Sequence, residues 1–492
     1  MQSEGNYLHK RRFCMSSFIT YEMFGAIGDG VTDDMPAIMA AHEKANQLHL
    51  PVKAKEGAAY YISPRNLTAV VQTSVDWTGA KFIIDDVDCE CISSPVFHVM
   101  SSEQPLPLNV KSMFYGQEQL ENPFGRDLFV VVQNENHMDY IRKGLNQDNG
   151  HARTDVFILS ADGSLSSPLS FDFEEITAIH AYPIDGETLT LTGGEFLTIA
   201  NQAESRYTYH RRNISITRSN VEVSYITHYV TGEKDHGAPY NGFIQLLDCS
   251  RVLIHDCIFT ARYIYETIGA AGLPVLMGSY DIRLDRTSDI HISRCTQTTD
   301  IHDTRYWGLI ATNFCRDLLL EDCIFSRFDA HMGVSNCTLR RCRLGWQCLN
   351  AIGNGTFLIE DTEAFGTAFV NLRDDYGCTW RGDIIIRNCS WLPRTEKRAV
   401  FRGSNDGTHD FGYDCYMPNV SIDGLTVLED TADDTPLYIF NNYLGEDACD
   451  SRAYMPIPPQ WVSIKDIRTM RKIELCEKPE LMAGTDYTFS GK

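Results

Sequence analysis

One phrase recurs along the second half of the chain, and its spacing restricts the fold more than any other feature. It reads NISITRS, RVLIHDC, DIHISRC, DLLLEDC, NCTLRRC, TFLIEDT, DIIIRNC, NVSIDGL and WVSIKDI. The central apolar residues are Ile216, Ile254, Ile292, Leu320, Leu339, Ile359, Ile386, Ile422 and Ile464. The residue two before each of them is also apolar, from Ile214 to Val462, and an apolar pair at i, i+2 marks a β-strand. Three residues after them stand Ser219, Cys257, Cys295, Cys323, Cys342, Thr362, Cys389, Leu425 and Ile467, five of them cysteine. The spacings between successive centres are 38, 38, 28, 19, 20, 27, 36 and 42 residues. The shortest is one coil of a solenoid of short strands. The longer ones are a coil plus a loop, which solenoids tolerate on one face.

The pattern predicts an all-β chain, a right-handed parallel β-helix (solenoid) with long loop insertions. Its cysteines stack coil on coil as an internal ladder. The chain has 16 cysteines in 492 residues and no CxxC pair, so structural thiols are expected rather than zinc ligands or disulfides. A solenoid needs its ends covered. MPAIMAAHEKANQLH, residues 35–49, predicts an N-terminal capping helix, with Asp33 or Asp34 as N-cap and Pro36 in the first turn. The formal charge of −23 repels nucleic-acid and anionic-membrane partners. The basic N-terminus lacks a following apolar stretch, so a cytoplasmic location is expected. His180, His228 and His236 read as loop or surface histidines.

FGAIGDGVTDD at residues 24–34, a helix, and then PVKAKEGAAYYIS resembles the N-terminal segment of the pectate-lyase-like right-handed β-helix superfamily. That group includes polygalacturonase-type glycoside hydrolases, pectate-lyase-like proteins and phage tailspikes. The resemblance covers residues 21–63. It implies that the Asp- and Gly-rich stretch is structural and that catalytic groups lie far downstream. The Asn-Thr-Asp, Gly-His-Gly and Arg-Ile-Lys signatures of the polygalacturonases are absent as such.

Four regions follow. Residues 1–20 are an N-terminal extension, 21–100 the cap and first coils, 101–205 an inserted β subdomain or irregular coils, and 206–492 the main coils. ITAIHAYPIDGETLTLTGGEFLTIA, within the third, reads as hairpin-forming strands.

A strand face gathers chemistry only where ionisable side chains recur at i, i+2 on successive coils. Asp281, Arg283 and Asp285 share one face, as do Asp303, Arg305 and Trp307. Asp329 pairs with His331, Asn350 follows, and Asn371, Arg373 and Asp375 align with Asp374 adjacent; Arg402 closes the series. Asp281, Asp303, Asp329, Asn350 and Asp374 are 22, 26, 21 and 24 residues apart, so they are expected to stack.

Paired carboxylates at coil spacing suit glycoside hydrolysis, which needs an acid and a carboxylate base or nucleophile. Asp329 with Asp374 and Asp375 are the expected catalytic groups, with Asp303 beside them. Two coils apart, the carboxyls would sit ~10 Å apart, which favours inversion. His331, Arg305, Trp307, Arg373, Asp281, Arg283, Asn350 and Arg402 are expected to bind substrate, with no metal. The acidic balance favours a neutral glycan, and long loops favour exo action on oligosaccharides. A lyase or uronate epimerase using His331 and Arg or Ca²⁺ is the alternative. A non-catalytic, tailspike-like glycan-binding solenoid is a third. The expected partner is an oligosaccharide or polysaccharide, with a homo-oligomer open.

Overall fold

The computed structural model describes residues 17–89, 93–206, 209–394, 398–429, 434–441 and 453–490. Its main body is one sheet of 29 strands wound as a right-handed parallel β-helix, as the repeat predicts. Each strand pairs in parallel with its counterpart one coil away, as Ile254 does with Ile292 and Ile292 with Leu320. The nine repeat centres are at most 1% exposed. Each such buried side chain contributes roughly 1.5–3 kcal/mol of apolar transfer.

After six of the nine repeat centres the corner is made by one non-glycine residue. Asp256, Arg294, Asp322, Arg341, Asp361 and Asn388 have φ between 48° and 54° or 55°, the left-handed region that non-glycine residues rarely adopt. The next residue is Cys257, Cys295, Cys323, Cys342, Thr362 or Cys389. Its thiol or hydroxyl donates to the carbonyl two residues back, over 3.1–3.4 Å for sulfur and 2.9 Å for Thr362. The small side chain is thus a second donor to a carbonyl that also accepts a backbone amide of the preceding coil, as Ser293 does from Asp256 at 3.1 Å and Glu321 from Arg294 at 3.0 Å. On the outer side the corner residues alternate in sign. Arg294 pairs with Asp256 and Arg341 with Asp322, each at 2.8 Å, one coil apart.

The capping helix forms at Met35–Leu48 and buries Ile38, Ala41 and Ala45. Asp34 occupies the N-cap position, but its carboxylate reaches back to accept the Ile27 and Gly28 amides at 2.7 and 3.1 Å. Asp33 accepts the Met35 amide at 3.2 Å. The expected cap therefore divides between two aspartates, because the left-handed Gly28 points its amide at Asp34. His228 departs from its expected surface position. It is fully buried, stacked on Phe243 at 3.7 Å and bonded to Thr198.

The insertion holds a three-stranded antiparallel sheet, Leu128–Asp139, His151–Leu159 and Ala178–Pro183. It has its own apolar core around Leu128, Val130, Phe157 and Phe173. The coils resume at Leu189, earlier than the boundary at 205. Leu189–Thr192 and Glu195–Ile199 lie in parallel between earlier and later coils, not in a hairpin. Gly193 and Gly194, both at positive φ, make a coil corner there. A two-glycine turn between alternating strands looks the same locally in either arrangement. The insertion is fastened to the coils by the buried Arg316–Asp155 pair at 2.6 Å and by Arg251–Asp127 at 2.6 Å.

All 13 cysteines among the described residues are buried. At most three of the 16 thiols should therefore react rapidly with Ellman's reagent in the native protein, and all 16 after unfolding. A larger fast fraction would mean that the ladder is open to solvent.

Candidate functional site

One column of strand positions runs in register along the coils. Gln245, Arg283, Ala311, Asp329, Asn350, Asn371 and Arg402 are consecutive partners in register. The neighbours that alternate with them, such as Ile282, Phe328 and Leu349, are buried inward. Strand alternation thus places polar groups outward at the strand spacing, roughly 5 Å per coil.

Arg373 organises the centre of this face. Its guanidinium spans two carboxylates, bonding Asp375 at 2.6 and 3.0 Å and Asp329 at 3.1 and 3.3 Å. Asp329 is 2% exposed and also accepts from Arg327 at 2.7 Å. Asp375 receives a second guanidinium, Arg142, at 2.7–2.8 Å. Arg142 comes from the loop between the first two strands of the insertion. That loop is also held by the Lys143–Asp406 contact and by the bond from the Lys143 amide to the Asp375 carbonyl.

Asp374 and Asp375 open the short 3₁₀ turn Asp374–Tyr376 and differ electrostatically. Crowding by protein raises the pKa of Asp374; Arg402 and donors from the Cys378 thiol and the Ser404 amide only partly oppose it. Its side chain still opens to the cleft. Burial would raise Asp375 too, but Arg373 and Arg142 outweigh it and hold its pKa at about 2. Neighbouring carboxylates driven in opposite directions are the arrangement that separates an acid from an ionised partner.

Both aspartates line two adjoining clefts. The larger, about 760 Å³, is walled by Trp346, Gln347, Asn350, Asn371, Arg394 and Arg402. The smaller, about 410 Å³, is walled by Arg142, Lys143, Leu145, Val275 and Asp406. Arg394 and Arg402 have no carboxylate partner among the described residues. Arg394 lies over the Phe365 ring, and Arg402 donates only to the Thr367 hydroxyl at 3.4 Å.

The expected residues separate into three groups. Asn350, Arg373, Asp374, Asp375 and Arg402 share the larger cleft. Asp329 lies beneath it, bound to Arg373. Asp281 is also buried, at 1% exposure, and Arg283 is clamped to Asp285 at 2.6 Å and to Asn241. His331 lines neither cleft. It bonds Asn313 at 2.8 Å, and burial together with Arg373, Arg142, Arg283 and Arg327 keeps it neutral.

Asp303 and Arg305 fall outside the column altogether. They pair with each other at 2.6 Å in a loop, with Arg305 largely exposed. The expected stack of Asp281, Asp303, Asp329, Asn350 and Asp374 is therefore replaced by the register above. The loop after Gln297 absorbs the residues that coil counting assigned to a strand. Trp307 lies against Arg327, its ring 4.8 Å from the guanidinium, and is not placed to stack on a sugar in the cleft.

Four contributors were missed. Arg327 precedes Asp329 by two, so strand alternation could have revealed it. Trp346, Arg394 and Arg142 carry no local signal; Arg142 is 233 residues from its partner. Among the described residues no three His, Cys, Asp or Glu side chains converge as a metal site. Asp375 is already matched by two arginines and Asp406 by Lys143. The groups present therefore do not fit the Ca²⁺ of the lyase alternative.

No family model matches the chain, and no curated protein matches it. Solved structures do. The tailspike Gp54 of Acinetobacter baumannii bacteriophage AP22, in complex with A. baumannii capsular saccharide, superposes with a TM-score of 0.57 at 10% identity, covering 96% of this chain and 79% of that one. The tailspike gp61 of Pseudomonas phage phi297 gives 0.54 at 12% identity over 94% and 81%. The tailspike gp49 of Pseudomonas phage LKA1 gives 0.53 at 14% over 95% and 84%. At these identities the likeness establishes the β-helix fold.

Two outcomes follow from the Arg373 network. Arg373→Met leaves Asp329 and Asp375 with one guanidinium each, and should cost about 3 kcal/mol or more in urea unfolding. A cost below 1 kcal/mol would show that the network does not hold the site. Asp375 has a folded pKa below its unfolded value, near 3.9. Its stabilisation is therefore complete above about pH 4 and is lost as pH falls from about 4 to 2. Between pH 5 and pH 2 the wild type should lose about 2–3 kcal/mol more than Asp375→Asn.

Proposed function

We propose that this chain is a β-helix glycoside hydrolase acting on an acidic glycan, with Asp374 as the proton donor. The observation that carries the reading is the junction of two clefts at neighbouring aspartates of opposite pKa shift. Sugar units on either side of the scissile bond would occupy the two clefts, which supports internal cleavage over the expected exo action.

Asp374, protonated more readily than an ordinary aspartate, donates to the leaving glycosidic oxygen. Asp375 stays ionised. At a pKa of about 2 it is a weak proton acceptor, so its part is to orient the attacking water and oppose positive charge at the anomeric carbon; the proton the water loses as the new C–O bond forms passes to solvent, and solvent returns one to Asp374. Asn350, Asn371 and Gln347 offer amides to sugar hydroxyls. Arg394 and Arg402, lacking carboxylate partners, offer a countercharge to an acidic substituent. The chain's net negative charge speaks against such a substrate only at a distance; within the cleft, Arg394 and Arg402 supply positive charge beside Asp374. Asp329 acts through Arg373 as a positioning residue. The likeness to a tailspike solved with a capsular saccharide is consistent with a glycan ligand.

A lyase or epimerase is the second reading, favoured by the neutral His331 beside four arginines. That His331 lines neither cleft ranks this reading lower.

The test is release of reducing ends from a panel of acidic and neutral polysaccharides. Asp374→Asn should reduce the rate by about 10²–10⁴. Asp303→Asn should leave it unchanged. Activity should fall as pH rises through the elevated pKa of Asp374. Arg402→Gln should raise KM with little change in kcat. Full activity in Asp374→Asn would remove the assignment, and product carrying an unsaturated-uronate absorbance would move the protein to the lyase class.

A further inference from the structure

A third cleft lies in the seam between insertion and coils. It has a volume of about 320 Å³ and takes no part in the site above. Its floor is Gly355 and Gly382, partners on successive coils. A Cβ at Gly355 would meet the Asn336 Oδ1 at 2.3 Å, and one at Gly382 the Gly355 carbonyl oxygen at 2.4 Å. The outward side chains that fill this face elsewhere are therefore excluded here.

Two cations border the notch. Arg316 is 1% exposed and spends its terminal nitrogens on Asp155, Ser170, Ser167 and the Pro168 carbonyl. Its Nε is buried without a hydrogen-bond partner. A buried unmatched N–H costs about 1–3 kcal/mol. Arg381 lies between the rings of Tyr115 and Tyr416, at 4.2 and 5.2 Å, with no carboxylate partner among the described residues. Aromatic faces hold a guanidinium in place without neutralising it. Asp383, also at the rim, is engaged by the Asn419 amide at 2.9 Å.

We propose that this seam is an oxyanion-binding site, taking a carboxylate or phosphate group through Arg381, whose guanidinium the two rings hold over the glycine floor. The shared chemistry is a small delocalised anion, borne by a sugar acid or free as inorganic phosphate. The site is independent of the Asp374 cleft, and its occupation ties the insertion to the coils.

Calorimetric titration with inorganic phosphate, glucuronate and glucose tests this on the full chain. Phosphate or glucuronate should bind and glucose should not. Arg381→Gln should weaken the anion roughly tenfold or more. Tyr115→Ala, on the exposed rim, should weaken it less. Arg402→Gln removes the countercharge of the other cleft alone, so anion binding that persists in it and is weakened by adding Arg381→Gln reports this seam, and circular dichroism of each variant checks folding. Preferential binding of glucuronate identifies a sugar carboxylate as the group, and preferential binding of phosphate identifies the free ion. Binding unaffected by Arg381→Gln and by Tyr115→Ala, or lost in Arg402→Gln, overturns the assignment, as does absence of anion binding in the wild type.

Discussion

The whole body depends on how one residue turns a corner. At six of the nine repeats a single left-handed non-glycine residue redirects the chain, and the next side chain donates to the carbonyl just before the bend. Sulfur suits this position because a thiol is small, apolar enough for the core and still a donor. Thr362 shows that a hydroxyl of similar size serves as well. Because every coil bends at the same place, strands stack in register, and outward side chains fall into columns. The ion pairs between successive corners add charge complementarity to that register without deciding it.

On such a scaffold the chemistry is made by charge balance across coils. Arg373 joins Asp329 beneath the surface to Asp375 at the surface, and Arg142 closes the network from the insertion. That surplus of cations around Asp375 and its weaker reach at Asp374 drive two consecutive aspartates apart. The insertion therefore supplies one wall of the smaller cleft and the second guanidinium on Asp375, besides covering part of the solenoid.

Much of the fold was legible in the chain. The repeat centres, the thiol ladder and the capping helix follow from periodicity and residue size, which act locally. The end of the insertion was misplaced because a Gly-Gly turn does not say whether the next strand returns beside its predecessor or starts a new coil. The candidate site was legible in part. Asn350, Arg373, Asp374, Asp375 and Arg402 share the cleft, while Asp303 stands outside it. Coil counting assumes that every 20-odd residues contain one coil, and the loop carrying Asp303 breaks that assumption. The burial of Asp329 was equally invisible, since alternation gives the side of a strand but not what lies over it.

The amino-acid sequence by itself determined the parallel β-helix, because strand alternation and a fixed corner residue repeat within each coil and need no distant partner. Tertiary structure alone decided which outward polar residues become a site. That choice depends on Arg142 arriving from a loop more than two hundred residues away, on loops that cover Asp329 and expose Asp374, and on the balance of burial against two guanidinium groups that separates Asp374 from Asp375. These are sums over three-dimensional neighbours, and no local pattern encodes them.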